Sequence, residues 1–224
     1  MKKIKRLLLN LLIKFLRSKN AGITIFRAHK EKRVFSIILE IIKKIDPYSS
    51  DVEMFHIASM VLAVKKIEGD LAEVGVANGA TAKIISAFKG SKELHLFDTF
   101  EGVPFVDKED DPSITVGVCK SPLEFVKNNL KNESNIKFYK GIFPATAGPV
   151  SNKKFSFVNL DVDIYKSTKD TLEFFYPRMS KGGILLSHDY SYYNGVKKAF
   201  DDFFTDKPEP VIALCESQCL VVKI

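Results

Sequence analysis

Four short segments carry the residues that can do chemistry, and each lies where an apolar run ends. The first is Glu73-Val-Gly-Val-Ala-Asn-Gly79. Gly75 lets the backbone turn sharply with no Cβ in the way, so that a ligand can come close. Gly79 stands at the entrance of the next helix, where free backbone N–H groups point outward. The spacing is not the three-glycine dinucleotide fingerprint, nor the Gly-Lys-Ser/Thr phosphate loop. The second segment is Asp98-Thr99, with Asp98 placed 23 residues after Gly75. An acid beside a glycine turn can accept hydrogen bonds from both hydroxyls of a ribose. The third is Asp161-Val-Asp163, whose two acids share a side if the strand period of two continues. The fourth is Ser187-His188-Asp189. If the third and fourth segments lie side by side, Asp161, His188 and Asp189 meet. Hard carboxylate oxygens plus one imidazole suit Mg²⁺ or Mn²⁺, although His is an unusual Mg²⁺ ligand. The structural alternative is a set of loop carboxylates around a partly buried histidine.

Alternating elements must hold these segments. Val34 to Ile45 has helical spacing, and Ser49 or Ser50 caps a second helix running to about Lys66, with Asp51 and Glu53 in its first turn. Leu71 to Val76 reads as a buried strand, Thr81 to Phe88 as a helix, and Glu93 to Phe97 as a strand. An acidic loop containing Asp107, Glu109, Asp110 and Asp111 follows; it is long enough to act as a lid or to be a solvated loop. Pro122 to Leu130 is a helix, and Ile136 to Tyr139 and Phe155 to Leu160 are strands. Ser167 or Thr168 offers a cap for a helix through Phe175. A strand over Ile184 to Leu186, a helix over Asn194 to Phe204 and a hairpin of Pro210–Cys215 with Cys219–Ile224 complete the chain. This alternation predicts an α/β fold with a mostly parallel sheet covered on both faces and a C-terminal antiparallel hairpin. Ligands bind such sheets beyond the carboxyl ends of the strands, where strand order reverses.

The 224 residues suffice for one domain, and 46% of them are hydrophobic. Residues 1–33 form a basic arm with eleven Lys and Arg against the single acid Glu31, which leaves −3 for the remainder of a chain whose total is +7. The domain proper then spans 34–224. A nucleic-acid reader spreads its basic patch over the folded body, so nucleic acid is not the expected partner. Residues 1–20 can form a basic amphipathic helix that docks on an anionic membrane surface, or one that packs on the body or on a second subunit of a homo-oligomer. The apolar stretch is too short to span a bilayer and lacks a small-residue cleavage site. The expected location is cytoplasmic, with peripheral contact at the inner face of the membrane through residues 1–20. Three cysteines, Cys119, Cys215 and Cys219, read as free thiols.

The motifs resemble the macrocin O-methyltransferase (TylF-like) family of class I S-adenosylmethionine-dependent methyltransferases. The resemblance is carried by Gly69-Asp-Leu-Ala-Glu-Val-Gly-Val-Ala-Asn-Gly79, Asp98-Thr-Phe-Glu-Gly-Val-Pro104, Lys140-Gly-Ile-Phe-Pro-Ala-Thr146, Leu160-Asp-Val-Asp-Ile-Tyr-Lys-Ser-Thr168, Tyr176-Pro-Arg-Met-Ser-Lys-Gly-Gly183 and His188-Asp-Tyr190. It implies a three-layer Rossmann-like fold with a seven-stranded sheet. It implies a donor site at Glu73, Gly75, Asn78 and Asp98, with Gly79 and Thr99 beside them, and a divalent metal, usually Mg²⁺, that holds acceptor hydroxyls. Family members typically methylate sugar hydroxyls of glycosylated natural products. The resemblance departs at one point: the family usually has two adjacent acids before the tyrosine, where this chain has His188-Asp189.

The reaction this implies is in-line displacement of the sulfonium methyl by an acceptor oxygen. Asp161 is then a metal ligand and candidate base, and Asp189 a second ligand. His188 is either a ligand or, without a metal, the base. Asp163 either holds acceptor hydroxyls or caps the following helix. Competing expectations are a catechol-type or nucleic-acid methyltransferase, and a non-catalytic nucleoside-binding or scaffold domain.

Overall fold

The computed structural model describes residues 32–224. The arm expected over residues 1–33, and the membrane contact expected through residues 1–20, lie outside the described residues except for Lys32 and Arg33, which open the first helix. The elements run α1 (Lys32–Ile45), α2 (Asp51–Ala63), β1 (Asp70–Val74), α3 (Ala80–Phe88), β2 (Leu94–Asp98), α4 (Leu123–Asn129), β3 (Ile136–Lys140), β4 (Phe155–Leu160), α5 (Tyr165–Phe175), β5 (Met179–Ser187), α6 (Asn194–Phe204), β6 (Ile212–Ala213) and β7 (Cys219–Val222). Among the described residues no helix is long and apolar enough to cross a membrane.

The seven strands form one sheet in the order β3-β2-β1-β4-β5-β7-β6. β3 through β5 are parallel, and β7 is antiparallel to both β5 and β6. Strand order reverses between β1 and β4, so their carboxyl ends open the crevice that α/β sheets use for ligands. The central strands are buried on both faces. On one face Leu71, Leu94, Leu96 and Phe157 pack with residues of α1, α2, α3 and α4, including Ile38, Ile57, Ile84 and Val126. On the other, Val74, Phe97, Phe155 and Leu160 pack with Phe175 of α5 and Phe200 of α6. Aromatic residues dominate that second layer, with Phe97 stacked on Tyr139 and Phe143 on Phe175.

Two helix starts illustrate local and distant control. Ser50 closes a capping box at α2. Its hydroxyl accepts from the Glu53 amide, and its own amide donates to the Glu53 carboxylate. At α5 the expected cap at Ser167 or Thr168 is not the one used. The helix begins earlier, at Tyr165, whose amide donates to Asp110 Oδ1 at 2.7 Å. Thr168 instead lies inside the helix and donates its hydroxyl to the Ile164 carbonyl. The acidic loop is thus tied to the body, with Val103 and Ile114 buried against Ile164. All three cysteines are free; Cys215 is exposed and Cys219 buried.

Candidate active site

The strand ends climb in step. Gly75 N–H donates to Phe97 O, Asp161 N–H to Val74 O, and His188 N–H to Leu160 O, each at 2.9 Å. The ends of β2, β1, β4 and β5 therefore meet in one row. Gly75 has φ +83°, and a Cβ there would lie 1.7 Å from the Asp161 carbonyl oxygen. Gly75 is thus required by the backbone of β4's end, as well as by the turn itself.

Asp98 ends β2 and organises the glycine turn. Its Oδ2 accepts from Val76 N at 2.6 Å and Ala77 N at 3.0 Å; its Oδ1 accepts from Phe100 N at 2.6 Å. Thr99 donates its hydroxyl to the Gly102 carbonyl at 2.7 Å. Asn78 is buried and bridges the turn to the end of α1, donating to Asp46 O at 2.9 Å while accepting from Ala80 N. Gly79 sits at the start of α3 with φ +84°.

Two cavities open at this row. The first is lined by Gly75, Asp98, Thr99, Val103, Ile142 and Phe143, among others. The second is lined by Tyr48, Glu53, Asn78, His188, Asp189 and Tyr193, among others. They share Ala77, Val118, Cys119, Asp161 and Asp163. Four non-glycine residues lining the second cavity have positive φ: Ala77, Cys119, Asp163 and Asp189. Strain of this kind, of order 1–3 kcal/mol per residue, concentrates at working sites.

Asp161, Asp163 and Asp189 bring one carboxylate oxygen each to within 4.8 Å of the others. Asp163 gets there by its left-handed backbone at φ +63°, beyond the end of β4, and not by strand alternation. Burial and the neighbouring charges of Asp163 and Glu73 push the Asp161 carboxyl well above its ordinary range. Burial, with Asp161 and Asp163 nearby, pushes Asp189 up to about 8. Asp163 is raised too, chiefly by burial. His188 is brought near but does not join the three: its Nδ1 is 3.9 Å from Asp161 Oδ2, while its Nε2 faces Gln218. Burial lowers its pKa, which favours the neutral ring.

Glu73 lines neither cavity. It is fully buried below the turn, where Asn159 donates to its Oε1 at 2.9 Å and Oε2 has no partner. Burial raises its pKa to about 8. The folded protein therefore holds a proton here that the unfolded chain releases near its ordinary value of 4.5. The stability associated with that proton is complete below about 4.5 and is lost as pH rises toward about 8. Glu73→Gln is expected to flatten this part of the stability profile. Urea midpoints at pH 6 and pH 8.5 check it: the wild-type difference should shrink in the variant, and an unchanged difference would place the titration elsewhere.

Residues outside the expected set also shape the site. Glu53 accepts from Ser217 Oγ at 2.5 Å, and Ser217 Oγ accepts from Asp189 N at 3.2 Å. Although burial opposes it, the hydrogen bonds from Ser217 and from the Ser50 amide hold Glu53 below its usual range. Glu53 is legible as a first-turn acid, but its reach to Ser217 joins positions 164 apart and leaves no local signal. Ser217 and Gln218 lie at the entrance to β7, with nothing around them to mark them out. Asp163 had its spacing from Asp161 as a signal.

Residues 51–213 match the model of the family described as Macrocin-O-methyltransferase (TylF). The 8-demethyl-8-(2,3-dimethoxy-alpha-L-rhamnosyl)-tetracenomycin-C 4'-O-methyltransferase of Streptomyces olivaceus is 30% identical over 141 residues, covering 56% of this chain and 54% of that protein. The demethyldecarbamoylnovobiocin O-methyltransferase of Streptomyces niveus is 27% identical over 153 residues, covering 61% and 58%. The chain spans a little over half the length of these curated relatives. Among solved structures, the O-methyltransferase NovP superposes with a TM-score of 0.67 at 23% identity, over 76% of this chain and 78% of that one, a likeness of fold.

Proposed function

The chain belongs to the macrocin-O-methyltransferase (TylF) family, and from that premise we propose that it transfers the methyl group of S-adenosylmethionine to a hydroxyl of a sugar or glycosylated small molecule, with a divalent cation, Mg²⁺ or Mn²⁺, at its aspartates. The observation that carries this reading is the pair of cavities joined at Asp161 and Asp163. The first offers Asp98 and the glycine turn to a nucleoside and the apolar side chains of Ile142 and Phe143 to a base. The second offers carboxylates and the rings of Tyr48 and Tyr193 to a hydroxylated acceptor. Holding oxygen, methyl and sulfur in line across such a junction can supply roughly 7–11 kcal/mol of the barrier.

The donor set suits a hard cation. Asp161, Asp163 and Asp189 supply only oxygen, and burial with the neighbouring acids raises the pKa of all three. When bound, the cation would lower the pKa of an acceptor hydroxyl. Asp161 lies at the junction of the two cavities and Asp163 beside it, so the proton released by the acceptor has a carboxylate within the same cluster to receive it.

The test is methyl transfer measured as S-adenosylhomocysteine release, with rhamnosylated acceptors and with catechol, in Mg²⁺ and in chelator. Turnover is expected on the glycoside, falling at least tenfold in chelator and returning with Mg²⁺. Turnover on catechol alone would move the acceptor class to aromatic hydroxyls, and full activity in chelator would remove the cation from the mechanism.

A further inference from the structure

His188 stands beside Asp189 at the end of β5, yet three aspartates converge without it. Its surroundings explain why. The ring is 4% exposed, and its Nε2 lies 2.9 Å from the side-chain nitrogen of Gln218, which is itself fully buried. The Glu53 carbonyl sets the orientation of that amide, and His56, whose Nδ1 can donate, is compatible with it. His56 Nδ1 is 2.8 Å from Gln218 Oε1, and Gln218 Nε2 is 3.5 Å from the Glu53 carbonyl oxygen, an atom that can only accept. The amide nitrogen therefore faces His188. An amide nitrogen only donates, so the Nε2 it meets must be bare. The neutral ring then carries its proton on Nδ1, the nitrogen that faces Asp161 Oδ2 at 3.9 Å. A protonated ring nitrogen has no lone pair for a metal, and the lone pair on Nε2 is already engaged.

We propose that Gln218 is a positioning residue that fixes His188 as the Nδ1–H tautomer, so that the imidazole turns an N–H toward Asp161 and neither ring nitrogen coordinates the cation. Beside Asp189 the chain thereby sets a neutral donor, and the cation falls to Asp161, Asp163 and Asp189. The role in catalysis rests on the proposed cation site; the tautomer does not.

The tautomer can be read directly from long-range ¹H–¹⁵N correlation spectra of the full chain with ¹⁵N-labelled histidine, His188 being identified by the signals lost in His188→Asn. The expected pattern for His188 is a protonated Nδ1 and a bare Nε2, with neither nitrogen shifting to a metal-bound position on addition of Mg²⁺ or Co²⁺. A bare Nδ1, or a ring nitrogen that moves on cation addition, would overturn the assignment. No donor or acceptor is needed, so this outcome is separate from any failure of the methyltransferase reading. Gln218→Glu presents only acceptors and should force the proton onto Nε2. The bare Nδ1 would then favour imidazole-seeking ions, with the Zn²⁺ to Mg²⁺ affinity ratio rising by about tenfold or more and kcat falling about 10–100-fold while S-adenosylhomocysteine affinity is retained. An unchanged tautomer in a folded Gln218→Glu protein would overturn the role of Gln218. If that variant does not fold, the wild-type spectrum alone decides.

Discussion

Asp98→Ala is expected to weaken S-adenosylmethionine and S-adenosylhomocysteine binding at least about 100-fold, the largest loss that any single change in the first cavity should cause. Hydrogen bonds from two ribose hydroxyls to a carboxylate are worth about 1.5–3 kcal/mol each, and about 1.4 kcal/mol is tenfold in affinity. The same carboxylate accepts three backbone N–H groups, from Val76, Ala77 and Phe100, so alanine would also release the turn that shapes the site. Asp98→Asn separates the two effects. It keeps one acceptor oxygen and sets an NH₂ against the other backbone donors, so part of the turn survives without the charge. Calorimetric titration with S-adenosylhomocysteine checks the prediction, with urea unfolding run on both variants to confirm that each is folded. Wild-type affinity in a folded Asp98→Ala protein would remove the nucleoside from this cavity.

That Asp98 can be singled out from sequence follows from how the fold is written. The central strands are continuous apolar runs, and Phe155–Leu160 has the bounds its residues predict. The position of an acid just past such a run is therefore legible, as is the capping box at Ser50 and Glu53, whose parts are three residues apart. What depends on distant residues is not. The start of α5 is set by Asp110 from the loop, 55 positions away, and hydroxyls at Ser167 and Thr168 that look like caps lie inside the helix. Gly75 is recognisable as a turn glycine, but the atom that demands it, the carbonyl oxygen of Asp161, lies just past the end of another strand. The tautomer of His188 depends on Gln218 and, through it, on the Glu53 carbonyl of α2. Proximity of acids to one another can be read from strand ends, whereas a ring's tautomer depends on a neighbour that the periodicity of neither segment reveals.

Asp161→Asn should separate stability from activity in opposite directions. Asp161, Asp163 and Asp189 are held close enough to repel, and all three have raised pKa values. Such carboxyls keep protons in the fold that the unfolded chain releases near pH 4. The metal-free protein therefore loses stability as pH rises from about 4 toward about 8, the value for Asp189. Asparagine has nearly the same shape and cannot ionise. The variant should unfold at a higher temperature than wild type at pH 8.5 in chelator, with the difference shrinking toward pH 5. Turnover should fall by about 10²–10⁴-fold, the usual contribution of a residue that moves a proton in the transition state. Mg²⁺ should raise the wild-type melting temperature more at pH 8.5 than at pH 5.5, because the ligands must shed protons to bind it, and should raise that of Asp161→Asn less at either pH. A cluster built for structure predicts the reverse, since removing a carboxylate that holds the site together would lower the melting temperature in chelator and leave the Mg²⁺ response unchanged. Stability given up at a site that gains only when a cation and an acceptor arrive is what distinguishes a working cluster from a merely acidic one.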